Sequence, residues 1–245
     1  MKNDCSNSTL SVLFFLLTLV VAFFSWIGSI YGWGEMQSLL SAEGIRWFLG
    51  HVVENYVRCP VLGVVLVLFM GLGIGVQAGL YDVLKRFCKK EKQLSRKERR
   101  ALSLASVALL MYVALIGASL LLPWNFLHGV TGSWLHSPFA KGLVYLLSVG
   151  VGLSGMVYGY ASDTFRGLSD VVGGMSYLIA RLASGLVTLF FVVQFFASLE
   201  YTCLVSWMGM PGNMMEVLYL FFCYLPFFFG GIRARINNNV GCPMR

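Results

Sequence analysis

The chain has 245 residues, 58% of them hydrophobic and only 12% charged, with a mean hydropathy of +0.75 and a formal charge of +7. Too little polar surface remains to clothe a soluble globule of this length, so the composition is that of an integral membrane protein. The positive charge gathers in one interhelical stretch and the C-terminal tail, where anionic headgroups are the nearer partner, which argues against nucleic acid.

A spanning helix needs roughly 18 to 25 largely apolar residues. Six segments qualify: 10–33, 60–81, 101–122, 139–161, 177–199 and 215–232. The expected fold is therefore all-α: one polytopic membrane domain, 1–245, of about six transmembrane helices. The first segment follows a single Lys2, outruns a signal-peptide core and lacks a small-x-small cleavage site, so it is expected to be retained.

Between the first two spans, Ser41 to Val57 sets Ile45, Phe48, Leu49, Val52, Val53 and Tyr56 on one stripe, with Glu43, Arg46, His51 and Glu54 off it. That spacing predicts an amphipathic helix over 41–57, N-capped by Ser41 and ended by Cys59-Pro60, lying at the outer interface. In the second span MGLGIGVQAG superficially resembles a phosphate loop, but no strand precedes it and no Lys-Ser/Thr follows. Gly71, Gly75 and Gly79 instead recur every fourth residue, as Gly155 and Gly159 do in the fourth span; such spacing lets helices approach closely.

Nine of the 18 Lys and Arg residues fall within the loop 85–100. A cluster of that kind biases its loop toward the cytoplasm. Six crossings then put both termini inside, with Arg166, Arg181, Arg233, Arg235 and Arg245, and leave Arg46, Arg58 and Lys141 outside.

A charge at mid-bilayer costs ~2.5–3.5 kcal/mol, so polar groups at depth are functional candidates. Gln77 and Gln194 sit well inside their spans, while Asp82, Arg181 and Glu200 lie near helix ends. The six cysteines form no C-x-x-C pair or metal spacing; Cys59 and Cys203 both fall near the outer face, either bridged or as single buried thiols. His51, His128 and His136 occupy predicted outer loops with no carboxylate at ligand spacing and read as surface residues. No cofactor or metal is expected. With no His-x4-Asp pair, no Gly-x-Ser-x-Gly and no intramembrane His/Glu set, the chain does not read as an enzyme.

LLSAEGIRWFLGHVVENYVRCPVLGVVLVLFMGLGIGVQAGL (Leu39 to Leu80) resembles the N-terminal part of the p-aminobenzoyl-glutamate transporter (AbgT) family. SRKERRALSLA (Ser95 to Ala105), SPFAKG (Ser137 to Gly142) and the stretch from MVYGYASDTFRGLSDVV through FFVVQFFASLEYTCL (Met156 to Leu204) follow the middle of the same family in order, with a matching Asp170-to-Gln194 spacing. The resemblance implies a bacterial inner-membrane carrier, coupled to a cation and homodimeric, that moves p-aminobenzoyl-glutamate or related folate-type metabolites. Family members are longer. They carry a re-entrant hairpin and core helices where this chain has its basic loop, and a second half with its own hairpin, where this chain has one aromatic-rich span and an Asn-rich tail. Glu200-Tyr201-Thr202-Cys203 stands where the family has Asn-x-Ser/Thr-Asn, and Arg181 where it has an acidic residue. Gln194 carries over as a pathway residue, and Glu200, Arg181 and Gln77 complete the candidates. Transporter is the leading reading. The alternative is a non-transporting scaffold remnant, or a membrane partner of a full-length carrier.

Overall fold

The computed structural model describes residues 4–89, 95–121 and 138–239. Lys2, the middle of the basic loop, His128, His136, Cys242 and Arg245 lie outside them. Regular structure among the described residues is entirely α-helical: α1 (Asp4–Tyr31), α2 (Ala42–Val57), α3 (Pro60–Gln77), α4 (Leu80–Lys89), α5 (Arg96–Leu121), α6 (Pro138–Ala161), α7 (Leu168–Arg181), α8 (Ala183–Tyr201), α9 (Leu204–Trp207) and α10 (Gly212–Asn239). Among the described residues, five stretches are long and apolar enough to cross a membrane: Asn7–Tyr31, Ala42–Gln77, Arg96–Ser119, Gly142–Ala161 and Ala183–Tyr201. A sixth apolar stretch, Gly212–Phe228 within α10, is shorter. The protein is a multi-pass, all-α membrane protein.

Three boundaries differ from the sequence expectation, each for a local reason. The span expected over 177–199 is interrupted at Leu182, which leaves helical geometry (φ −107°, ψ 15°) between α7 and α8. The amide of Gly185 then closes a tight turn onto the Leu182 carbonyl at 2.8 Å, which starts α8 afresh. The span expected over 60–81 stops at Gln77, because Gly79 adopts φ +81° and turns the chain into α4; glycine holds that left-handed geometry without a Cβ clash. The basic loop is helical at both ends. α5 begins at Arg96, where the Ser95 amide donates to Glu98 Oε2 at 2.9 Å, half of a Ser-x-x-Glu capping box.

The chain divides into two compact units, Met1–Gly63 with Leu182–Arg245, and Val64–Arg181. In the first, α8 is the hub, in contact with α1, α2, α9 and α10. Its Leu189, Val192, Val193 and Phe196 are buried. In lipid the apolar effect does not drive helices together, so packing and interhelical hydrogen bonds must. Both are present between α1 and α8. Asn7 Nδ2 donates to Ser184 Oγ at 3.2 Å, Ser11 Oγ and Thr188 Oγ1 are 2.9 Å apart, and Thr188 Oγ1 also reaches the Asn7 carbonyl at 3.2 Å. Phe14 meets Phe195 and Phe222 edge-on at 5.5 and 5.6 Å. α2 starts as its sequence predicts, with Ser41 Oγ accepting from the Gly44 amide at 3.0 Å. The predicted stripe divides. Phe48, Val52 and Tyr56 are half-buried, whereas Ile45, Leu49 and Val53 are exposed.

The second unit is built on close helix crossings. A Cβ at Gly71 would fall 2.1 Å from the Ser148 carbonyl oxygen, and one at Gly155 would fall 2.9 Å from Gly75 Cα, so α3 and α6 touch backbone to backbone. Gly73 makes a comparable approach to Gly174 of α7, a crossing that the every-fourth-residue pattern did not include. Two of the five packing glycines have other roles. Gly79 has open space around it and serves the turn into α4, and Gly159 leaves room for the Phe165 ring. Around these crossings Ile74, Ala78, Leu80, Val83, Ala101, Ala105, Tyr158, Phe165 and Val171 form the unit's core. At one end Arg86 pairs with Glu98 at 3.1 Å, and Lys97 pairs with Asp163, which itself has φ 59°.

Candidate functional site

α8 carries two of the four polar candidates and has a cavity on each flank. Gln194 and Glu200 are six residues apart, so at 3.6 residues per turn they point in different directions. Glu200 is exposed and opens on a cavity of about 530 Å³, shared with Asn55 and Arg58 of the α2–α3 joint, Cys203, and Glu216 and Tyr219 of α10. The Arg58 guanidinium is held by Glu54 at 2.6 Å at this rim. Asn55 Nδ2 is buried without a hydrogen-bond partner. The cavity thus combines an apolar floor, an unused amide donor, two carboxylates and a guanidinium, an arrangement able to grip a small polar solute with an apolar body.

Gln194 is buried, 3% exposed, and lines a second, apolar cavity of about 380 Å³. Its Nε2 donates to the Val52 carbonyl at 2.7 Å. The other two candidates belong to the second unit. Gln77 is exposed at the end of α3, its side-chain amide lying over Gly173 and Gly174. Arg181 is exposed at the end of α7, with Nη1 donating to the Tyr177 hydroxyl at 3.2 Å and the guanidinium 5.9 Å from that ring.

Sequence reasoning missed Asn55, Glu216 and the Asn7–Ser11–Ser184–Thr188 set. Asn55 and Glu216 sit in short polar interruptions of apolar runs, which is a usable signal; the α1–α8 set is spread over 181 positions and offers none. Cys59, Cys88, Cys203 and Cys223 are free thiols, and the side chains facing Cys59 are Cys223 and Tyr219, not Cys203. His51 is not a plain surface residue. Its Nδ1 lies 2.8 Å from the Trp47 carbonyl and its ring stacks on Trp47, which stacks in turn on Tyr201. The described residues contain no group of three or more His, Cys, Asp or Glu suited to a metal ion.

Three comparisons bear on this arrangement. The p-aminobenzoyl-glutamate transport protein of Escherichia coli (strain K12) is 39% identical over 49 residues, a match covering 20% of this chain and 10% of that protein. The chain therefore matches about a tenth of the length of that curated relative. The crystal structure of the Alcanivorax borkumensis YdaH transporter superposes with a TM-score of 0.69 over 82% of this chain and 74% of that one, at 19% identity, which is a likeness of fold. The family model of the AbgT transporters matches residues 8–89 and 83–220. With most of its length inside that model, the chain belongs to the AbgT transporter family.

Proposed function

We propose that the protein moves a small organic solute across the bacterial inner membrane, with both termini and the basic segment 85–100 on the cytoplasmic side. The observation that carries this reading is the cavity beside α8, lined by Glu200, Glu216, Arg58 and Asn55, whose Nδ2 has no partner, in a member of a family of carriers. Glu200 is the pathway residue we assign. It lines a solute-sized space, whereas neither Arg181 nor Gln77 does, and Arg181 is engaged by Tyr177. The E. coli relative's name supplies the first solute to try, p-aminobenzoyl-glutamate, and we carry the coupling cation and the homodimer over from the family resemblance as part of the same proposal.

The test is flux of p-aminobenzoyl-glutamate into liposomes holding the purified chain, with and without a cation gradient. Saturable uptake that falls at least tenfold in Glu200→Gln, with the variant's melting temperature unchanged, supports the proposal. Flux no greater than that of protein-free liposomes sinks it. The second reading, a non-transporting membrane partner of a full-length carrier, draws on α5, where Leu104, Val107, Leu110, Met111, Val113 and Leu115 are all exposed. Co-purification with such a carrier, combined with no flux from the isolated chain, selects that reading.

A further inference from the structure

The smaller cavity has a chemistry of its own. Its wall comes from α1, α2, α8 and the Leu39–Leu40 turn, and Phe15, Phe48, Val52 and Phe190 make it almost wholly apolar. Two polar side chains line it, Thr18 and Gln194. The Thr18 hydroxyl is already spent on the Phe14 carbonyl at 2.9 Å. Gln194 spends its Nε2 on the Val52 carbonyl and leaves Oε1 buried with no donor. Native interiors rarely keep a buried carbonyl oxygen unpaired, and an amide oxygen can only accept. Whatever completes the site must therefore present an O–H or N–H. It must also be uncharged, because no ionisable side chain lines the cavity to balance a charge. The approach is from the bilayer: Phe15, Leu19, Leu40, Ile45 and Leu49 line the cavity and are also exposed on the apolar outer surface of a membrane-spanning unit.

We propose that this cavity binds a membrane-borne hydroxylated hydrophobe, an alcohol or phenol whose O–H is received by Gln194 Oε1 while its apolar body fills the space between α1, α2 and α8. Two sources share that chemistry, the free hydroxyl of a neutral glycerolipid and the phenolic head of a quinol. The site does not depend on whether the Glu200 cavity carries solute.

The probe is a photoreactive alkylphenol applied to the purified full chain in lipid nanodiscs, with crosslinks mapped by peptide mass. Labelling of α1, α2 and α8 is expected, with 4-octylphenol protecting at a concentration roughly fivefold lower than octylbenzene, the discrimination one net hydrogen bond provides. In Gln194→Leu the two competitors become equivalent. Because that variant also loses the bond to Val52, the phenol-against-benzene comparison in the unaltered protein stands as an independent readout. Equal protection by the two in the native chain overturns the proposal, as do labels mapping elsewhere or a preference that survives Gln194→Leu. Dioleoylglycerol and decylhydroquinone, added as competitors, tell the two sources apart, and failure of both to protect also overturns it.

Discussion

At the scale of single residues, the clearest constraint is the Gly75–Gly155 contact, where a side chain on Gly155 would enter the α3 backbone. Gly155→Leu is expected to destabilise the protein by about 1–3 kcal/mol, the ordinary cost of overpacking, read as a lower melting temperature in detergent. Gly63→Leu is the matched control, since a Cβ there meets nothing within 4 Å, and it is expected to be neutral or slightly stabilising through helix propensity. The spacing of Gly71, Gly75 and Gly155 makes close packing legible in the sequence alone. Gly79 shares that spacing and does something else, because an interval of four cannot tell a packed helical glycine from one at φ +81°. Gln194 is a similar case: an amide in an apolar run announces that it needs partners, but not that one of them is the Val52 carbonyl, 142 positions away. The ion pair between Lys97 and Asp163 predicts a pH effect of definite sign. The Lys97 hydrogen bond and charge hold the Asp163 carboxyl below the usual carboxylate range. A depressed folded-state value means that the contribution is present above the unfolded value and fades as pH falls through the folded one. Asp163→Asn should therefore remove one step from the acid limb of the stability profile, measured by thermal unfolding across pH.

At the scale of elements, the start of α5 depends on Glu98, which accepts from the Ser95 amide and also pairs with Arg86 of α4. Glu98→Ala is expected to cost about 1 kcal/mol, mostly as a lost cap, since the ion pair is partly solvent-screened. Hydrogen exchange at residues 95–99 should quicken in that variant more than at 103–107. Ser95-x-x-Glu98 was available to a sequence reading as a helix start, yet the density of charge around it favoured a loop. The Leu182 interruption had no such marker. Neither Pro nor Gly stands at 181–183, and hydropathy runs through the break, so periodicity alone joins α7 to α8. The α2 stripe was readable because an amphipathic period and an N-cap agreed; its division between an inner and an outer apolar face reflects α8 on one side and an apolar exterior on the other, which a single period cannot separate.

At the scale of the whole molecule, composition alone identified a multi-pass membrane protein, and the order of matching segments identified its kin. The orientation we propose has its own reporter. Cys88 is exposed on α4, within the basic segment, so with the other cysteines changed to Ser a membrane-impermeant maleimide should label it in inverted vesicles and not in intact spheroplasts. The opposite pattern reverses the assignment. The bonds between α1 and α8 also bear on how the chain is made. Asn7 and Ser184 are 177 positions apart, and at a synthesis rate of ~5–20 residues per second that separation is roughly 9–35 s on the ribosome. Throughout that interval the Asn7 side-chain amide lacks the Ser184 oxygen it meets in the finished protein, whereas the Ser11 hydroxyl already has the Asn7 carbonyl of its own helix, so α1 enters the lipid with one polar group whose protein partner is among the last segments to be synthesised.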